Sequence, residues 1–317
     1  MTKGVLFIAS VLMVLVLPNW LRNDQSSSQL VRNTYVSYVD ISAIPASKTK
    51  ITIAFDLGGV LLGIDTKKAL DQMGSLNILK YMTQHKVSPI SVKEELLKKV
   101  YEIFNTIQPG GNSCEAQDPY GNRMPAIMCD WQAGRKSNAE LIAMVFHHIK
   151  QHPEWFTSSI EKELVESVIR KMFVPQLLAS TITLIPEGLE YVKQCKKRGH
   201  TLMVLSNWDV ESFELVKKKF PELFNLFDGV IVSGDTKQIK PEPAAYAFLV
   251  ERIIKYDETV VFVDDQKENC QAASACGLKG IHYVPAPGFL GIGTKPNFEA
   301  VETYVSYYMR KCGSKKM

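Results

Sequence analysis

From Pro186 to Val284, short apolar runs alternate with amphipathic stretches, and this alternation limits the folds open to the chain. The runs Thr201–Leu205, Gly229–Val232, Thr259–Val263 and Gly280–Val284 are mostly apolar and too short for helices. They read as strands covered on both faces. Between them the spacing predicts helices over 186–198, 211–220, 243–254 and 268–275. Pro186 suits a first helical position, and Gly199 and Gly277 suit positions just past a helix end. Strands joined through helices run parallel, with helices on both faces of the sheet. One further apolar run, Ile51 to Phe55, stands far upstream and closes on Asp56, before Gly58 and Gly59. A carboxylate at the end of a buried strand requires a partner or a purpose.

Residues 66–180 separate that first run from the alternating part and read as helical. Ser91–Glu94, Ser137–Glu140 and Ser158–Glu161 have capping-box spacing, and Val92, Leu96, Val100, Phe104 and Ile107 repeat at helical intervals. A loop, Gln108 to Arg135, interrupts the pattern. The stretch is too long for one crossover, so an inserted helical cap is expected. The predicted fold is α/β: a doubly wound, Rossmann-like parallel sheet formed by 50–65 and 181–317, with the cap over 66–180. A last helix is predicted over Phe298–Arg310.

The chain has 317 residues, 46% of them hydrophobic, enough for a large core in one or two domains. Its net charge of +4 is mild and its lysines and arginines are scattered, which excludes a nucleic-acid stripe. Lys3 followed by the apolar run Gly4–Leu17 and Pro18 reads, over 1–22, as a signal peptide or an uncleaved membrane anchor. Residues 23–49 then read as a polar linker. An exported or membrane-anchored protein, on the periplasmic or extracellular side, is the expectation; a cytoplasmic one is the lesser alternative. Cys114 and Cys129 bound one Gly-, Pro- and Asn-rich segment and would pair in an exported protein. Cys195, Cys270 and Cys276 lie in helical patterns and read as buried thiols, and no CxxC spacing points to zinc.

Three strands end in polar groups: Asp56, then Ser206 and Asn207, then Asp264 and Asp265. Lys240 stands in a Lys-Pro-Glu-Pro turn that opens a helix. Carboxylates brought together repel unless a cation such as Mg2+ lies between them. Mg2+ and a lysine neutralise phosphate oxygens, a serine hydroxyl binds one, and a carboxylate can attack phosphorus. The segments FDLGGVLL, VLSNWD, IKPEPAAY and VVFVDDQKENCQAA closely resemble the four motifs of the haloacid dehalogenase superfamily, over roughly Thr52 to Val284. The likeness is to capped sugar-1-phosphatase-like members and to the phosphatase domain of soluble epoxide hydrolases.

That resemblance implies Asp56 as nucleophile and Lys240 as the lysine steadying nucleophile and phosphate. Ser206 and Asn207 would bind phosphate. Asp56, the Gly58 carbonyl and Asp265 would hold Mg2+, with Asp264 and Asn269 supporting them. The implied reaction is Mg2+-dependent hydrolysis of a small phosphomonoester, a sugar phosphate favoured, through an aspartyl-phosphate. In one respect the motif departs from the family: Gly58 occupies the position of the usual acid/base Asp. A catalytically impaired binding protein is therefore the alternative, a dehalogenase is a third reading, and a cap loop that binds a partner is a fourth. His148 and His152 are spaced as a metal pair but lack further ligands, so they read as a solvated cap face. Trp131 and Gln132 are candidates to reach a substrate, and Asp65 is a candidate to replace the missing acid. Composition does not indicate an oligomeric state.

Overall fold

The computed structural model describes residues 50–72, 74–107, 114–117, 122–253, 259–287 and 294–313. The expectations for 1–22 and 23–49 lie outside them. Among the described residues, no helix is long and apolar enough to cross a membrane. The strands are β1 (Thr52–Phe55), β2 (Leu62–Ile64), β3 (Ile182–Leu184), β4 (Thr201–Ser206), β5 (Gly229–Val232), β6 (Val260–Asp264) and β7 (Lys279–His282), besides a two-residue ribbon, Ala286–Pro287 with Thr294–Lys295. Five of them form one sheet in the order β5-β4-β1-β6-β7, every pair parallel. The helices Pro186–Lys197, Val210–Lys219, Pro243–Ile253 and Lys267–Ala275 fall within one residue of the ranges read from the sequence.

Strand residues divide between two apolar clusters with period two, as the pleat requires. Ile53, Phe55, Leu202, Val204, Val261 and Val263 face the helices 186–197, 210–219 and Phe298–Gly313. Ala54, Met203, Leu205 and Phe262 face the helices 243–253 and 267–275. Both faces are covered, so the central strands are mostly apolar and β1 is wholly buried, whereas the edge strand β7 exposes Lys279 and His282. The chain winds outward from β1 through β4 to β5, then returns to β6 on β1's other side. That reversal makes the carboxyl end of β1 the switch point where open α/β sheets bind ligands.

Register then decides which side chains meet there. Phe55 lies opposite Val204 and Val263. Asp56 is therefore level with Asp264, and Ser206 lies one residue beyond.

The intervening helices have an apolar core of their own. Ser75–His85, Pro89–Thr106, Ala126–Gln132, Asn138–Gln151 and Ser159–Phe173 pack together through residues such as Leu96, Phe104, Val145, Leu164 and Phe173. The capping box at Ser137 is complete. At Ser158 only half forms, because the Glu161 carboxylate turns to the Thr157 amide and hydroxyl. The helix that includes Ser91 starts two residues earlier than the cap spacing implies, at Pro89, whose fixed φ suits the first turn.

Where the chain leaves and re-enters the sheet region, β2 and β3 pair antiparallel, Leu62 opposite Leu184. Such short strands gave no signal in the sequence. The helix Pro175–Thr181 already packs on the sheet through Ala179. Lys219 Nζ holds its end by donating to the carbonyls of Ala179, Ser180 and Ile182. Cys114 and Cys129 are disulfide-bonded, Cα–Cα 5.9 Å, and share an apolar cluster with Ala116, Ala133 and Ile239. Cys195 and Cys270 are buried thiols as expected, whereas Cys276 is only half-buried.

Candidate active site

Asp56 follows β1 and is buried at 8% exposure. Lys240 Nζ donates to its Oδ1 at 2.8 Å, and the Ser206 hydroxyl donates to the same carboxylate. Burial pushes the Asp56 pKa up; Lys240 opposes this, and Asp264 adds to it. Lys240 is 1% exposed and also donates to Asp264 Oδ2 at 2.6 Å. Burial works against its ammonium, but Asp264 and Asp56 outweigh that cost and raise its pKa. A buried lysine so held remains a cation.

Asp264 and Asp265 are neighbours with different environments. Asp264 receives Lys240 Nζ, the Gln266 amide at 2.8 Å, and Asn269 Nδ2 at 3.1 Å to each oxygen. Its oxygens are taken. Among the described residues, no other residue donates to the Asp265 carboxylate. Its pKa is pushed well above the usual range by burial, then by Asp264 and Asp56. Ligand oxygens of Asp56, Asp264 and Asp265 lie within 4.8 Å of one another, the one such group among the described residues. Three carboxylates thus face one ammonium. An oxygen-preferring divalent cation fits this deficit, and Asp56 and Asp265 are the residues with oxygens to give.

The turn between them explains its two glycines separately. Gly59 has φ +72°, and a Cβ there would stand 2.3 Å from Asp265 Oδ2. At Gly58 a Cβ would meet nothing nearer than Asp56 Oδ2 at 4.0 Å, so that position has room for a side chain.

Asn207 is placed differently from Ser206. Its Nδ2 donates to the Lys240 carbonyl at 2.9 Å, and its Oδ1 accepts from the Lys240 amide at 2.8 Å. The Asp65 carboxylate is engaged by the Lys68 amide at the start of the next helix. Among the described residues, His148 and His152 join no metal-ligating group: His152 stacks on Trp155 and bonds Glu154.

Trp131 and Gln132 are linked to the loops that follow β4 and β5 through Asn138 and Ser233. Trp131 Nε1 donates to Asn138 Oδ1, and Asn138 Nδ2 donates to Asp209 Oδ1, each at 2.8 Å. Asp209 caps the helix 210–219 through the Ser212 amide. Ser233 Oγ accepts from the Trp208 amide and donates to the Gln132 carbonyl. Lys237 Nζ donates to the Gly134 carbonyl at 2.7 Å. This seam escaped sequence reasoning; the only signal for it was the Asp209-x-x-Ser212 cap spacing. A cleft opens between residues 115–117 and the start of the helix 267–275, where Pro241 and Ala272 line it together with Glu115, Gln117, Gln266 and Gln271.

A family model described as haloacid dehalogenase-like hydrolase matches residues 52–277. A phosphorylated carbohydrates phosphatase of Thermotoga maritima is 30% identical over 100 residues, 32% of this chain and 44% of that protein. A sesquiterpene phosphatase of Aspergillus oryzae is 29% identical over 91 residues, 29% of this chain and 46% of that one. The chain thus matches less than half the length of these curated relatives. Among solved structures, a HAD family enzyme of Bacteroides thetaiotaomicron in complex with magnesium and inorganic phosphate is similar at 17% identity. It covers 76% of this chain and 96% of its own, with a TM-score of 0.45.

Proposed function

Because the chain belongs to the haloacid dehalogenase-like hydrolases, we propose that it is a phosphatase that cleaves a small phosphomonoester at Asp56. The observation that carries this reading is the buried group itself: an Asp at the switch point, bonded to a fully buried lysine and crowded by two further carboxylates. In the proposed reaction an Asp56 oxygen attacks phosphorus and the bond to the leaving alcohol breaks, giving an aspartyl-phosphate that water then hydrolyses. Lys240 balances the Asp56 and phosphate charge, and the Ser206 hydroxyl turns to a phosphate oxygen. Asp264, saturated by its donors, holds Lys240 in place. Mg2+, held by Asp56, Asp265 and the Gly58 carbonyl, would supply positive charge against the phosphate oxygens.

No side chain at position 58 can give the alcohol its proton, and Asp65 is engaged elsewhere. The enzyme therefore favours leaving groups that are already acidic, such as anomeric sugar hydroxyls and phenols. The disulfide supports an exported protein or one anchored through residues 1–22.

Phosphate release from sugar-1-phosphates and aryl phosphates, with Mg2+ and with chelator, tests the reading. Mg2+-dependent release is expected, with Gly58→Asp raising the rate on alkyl phosphates most; the acid/base contribution at stake is about 10²–10⁴-fold. A chain that binds these phosphates in Mg2+ without turning them over would instead be a binding protein.

A further inference from the structure

We infer that Asn207 is a positioning residue for Lys240 and not itself a ligand of the phosphate, an inference that rests on the phosphatase reading. An asparagine amide has donors on one atom and an acceptor on the other, and here both are spent on one main-chain residue. Nδ2 meets the Lys240 carbonyl at 2.9 Å and Oδ1 meets the Lys240 amide at 2.8 Å. The orientation of the amide is fixed by its partners, because the flipped form would set donor against donor and acceptor against acceptor.

Such a two-point clasp fixes where the residue 240 backbone stands and which way it faces. Lysine carries its charge on a flexible four-carbon stem, so a buried ammonium is placed well only if its Cα is. Lys240 Nζ sits between Asp56 at 2.8 Å and Asp264 at 2.6 Å. On the other side of the turn, Ile239 is fully buried against Cys114, Cys129 and Ala133 of the cap. Ser206, the residue before Asn207, donates to Asp56. Two successive residues at the end of β4 therefore touch the nucleophile and set the lysine that serves it. The phosphate loses nothing by this, since Ser206 and Lys240 remain to bind it.

The test is a double-mutant cycle of Asn207→Ala and Lys240→Met in the full chain with Mg2+. The readouts are kcat on an aryl phosphate and calorimetric affinity for inorganic phosphate. Asn207→Ala alone is expected to lower kcat by about 10- to 100-fold, as small misplacements of reacting groups do, and to weaken phosphate binding. In the Lys240→Met background the same change is expected to leave phosphate affinity within about twofold, because its effect runs through the lysine. Equal weakening in both backgrounds would make Asn207 a direct ligand and overturn the inference. Unchanged kcat in Asn207→Ala would overturn it too, while leaving the phosphatase reading intact. A wild type that releases no phosphate would break that reading first. Should Lys240→Met not fold, a crystal structure of Asn207→Ala decides: a displaced Lys240 Nζ upholds the clasp, and an unmoved one with weakened phosphate binding refutes it.

Discussion

At the carboxyl end of the sheet, Asp56, Asp264 and Asp265 share the single ammonium of Lys240. Near its amino end, Glu302 accepts from Arg198 Nη1 at 2.7 Å, Ser306 Oγ at 2.9 Å and Tyr191 Oη at 3.1 Å. The second group is balanced and its donors are satisfied, so it calls for no further ligand. The first is short of positive charge, and one of its carboxylates has no donor from another of the described residues. Burial alone therefore does not mark a functional site, since both ends bury ionisable groups. Uncompensated charge separates them.

Substitutions at the two ends should part activity from stability. Gly59→Ala is expected to have the largest effect. Its Cβ would strike Asp265 Oδ2, and its φ disfavours any side chain. Loss of a metal-holding carboxylate should cost about 10²-fold or more in kcat/KM, with Mg2+ no longer raising the melting temperature. Glu302→Ala at the other end should do the reverse. It removes a charged acceptor from three donors and should cost about 2 kcal/mol in chemical denaturation. Activity and Mg2+ dependence should remain.

The smallest effect belongs to His200, which is 3% exposed and whose ring nitrogens have no hydrogen-bond partner among the described residues. Its pKa is lowered by burial first and then by Arg198, with Glu302 opposing. As pH falls below the ordinary histidine value of about 6.5, the unfolded chain takes up the proton before the folded one, and stability declines. Above that range the contribution is constant. Denaturation midpoints measured from about pH 7 to about pH 5 should fall less steeply in His200→Phe than in the wild type. Equal slopes would show that His200 does not titrate in this range.

Periodicity made the sheet legible. β5 coincides with the run read from sequence, Gly229–Val232, because a strand covered on both faces is apolar from end to end. The meeting of Asp56 with Asp264 depends on register, which a single chain does not display; the sequence showed that both close apolar runs and could converge, and the motif resemblance implied their roles. The clasp of Asn207 on Lys240 and the seam from Trp131 through Asn138 to Asp209 join residues distant in sequence, and local pattern announces only the Asp209 cap. The ribbon of β2 and β3 failed to show for another reason: three residues are too few to establish a period. Ser91 had the right spacing for a cap, but the proline two residues earlier had already opened the helix.

Direct trapping of the phosphorylated enzyme tests the central claim. Enzyme mixed with Mg2+ and an aryl phosphate is quenched in acid within the first turnover, digested, and examined by mass spectrometry. One phosphoryl group is expected on the peptide containing Asp56, labile to base, and none on any peptide of the Asp56→Asn enzyme. Phosphate released at the wild-type rate by Asp56→Asn, or a phosphoryl group found only on another residue, would contradict the account.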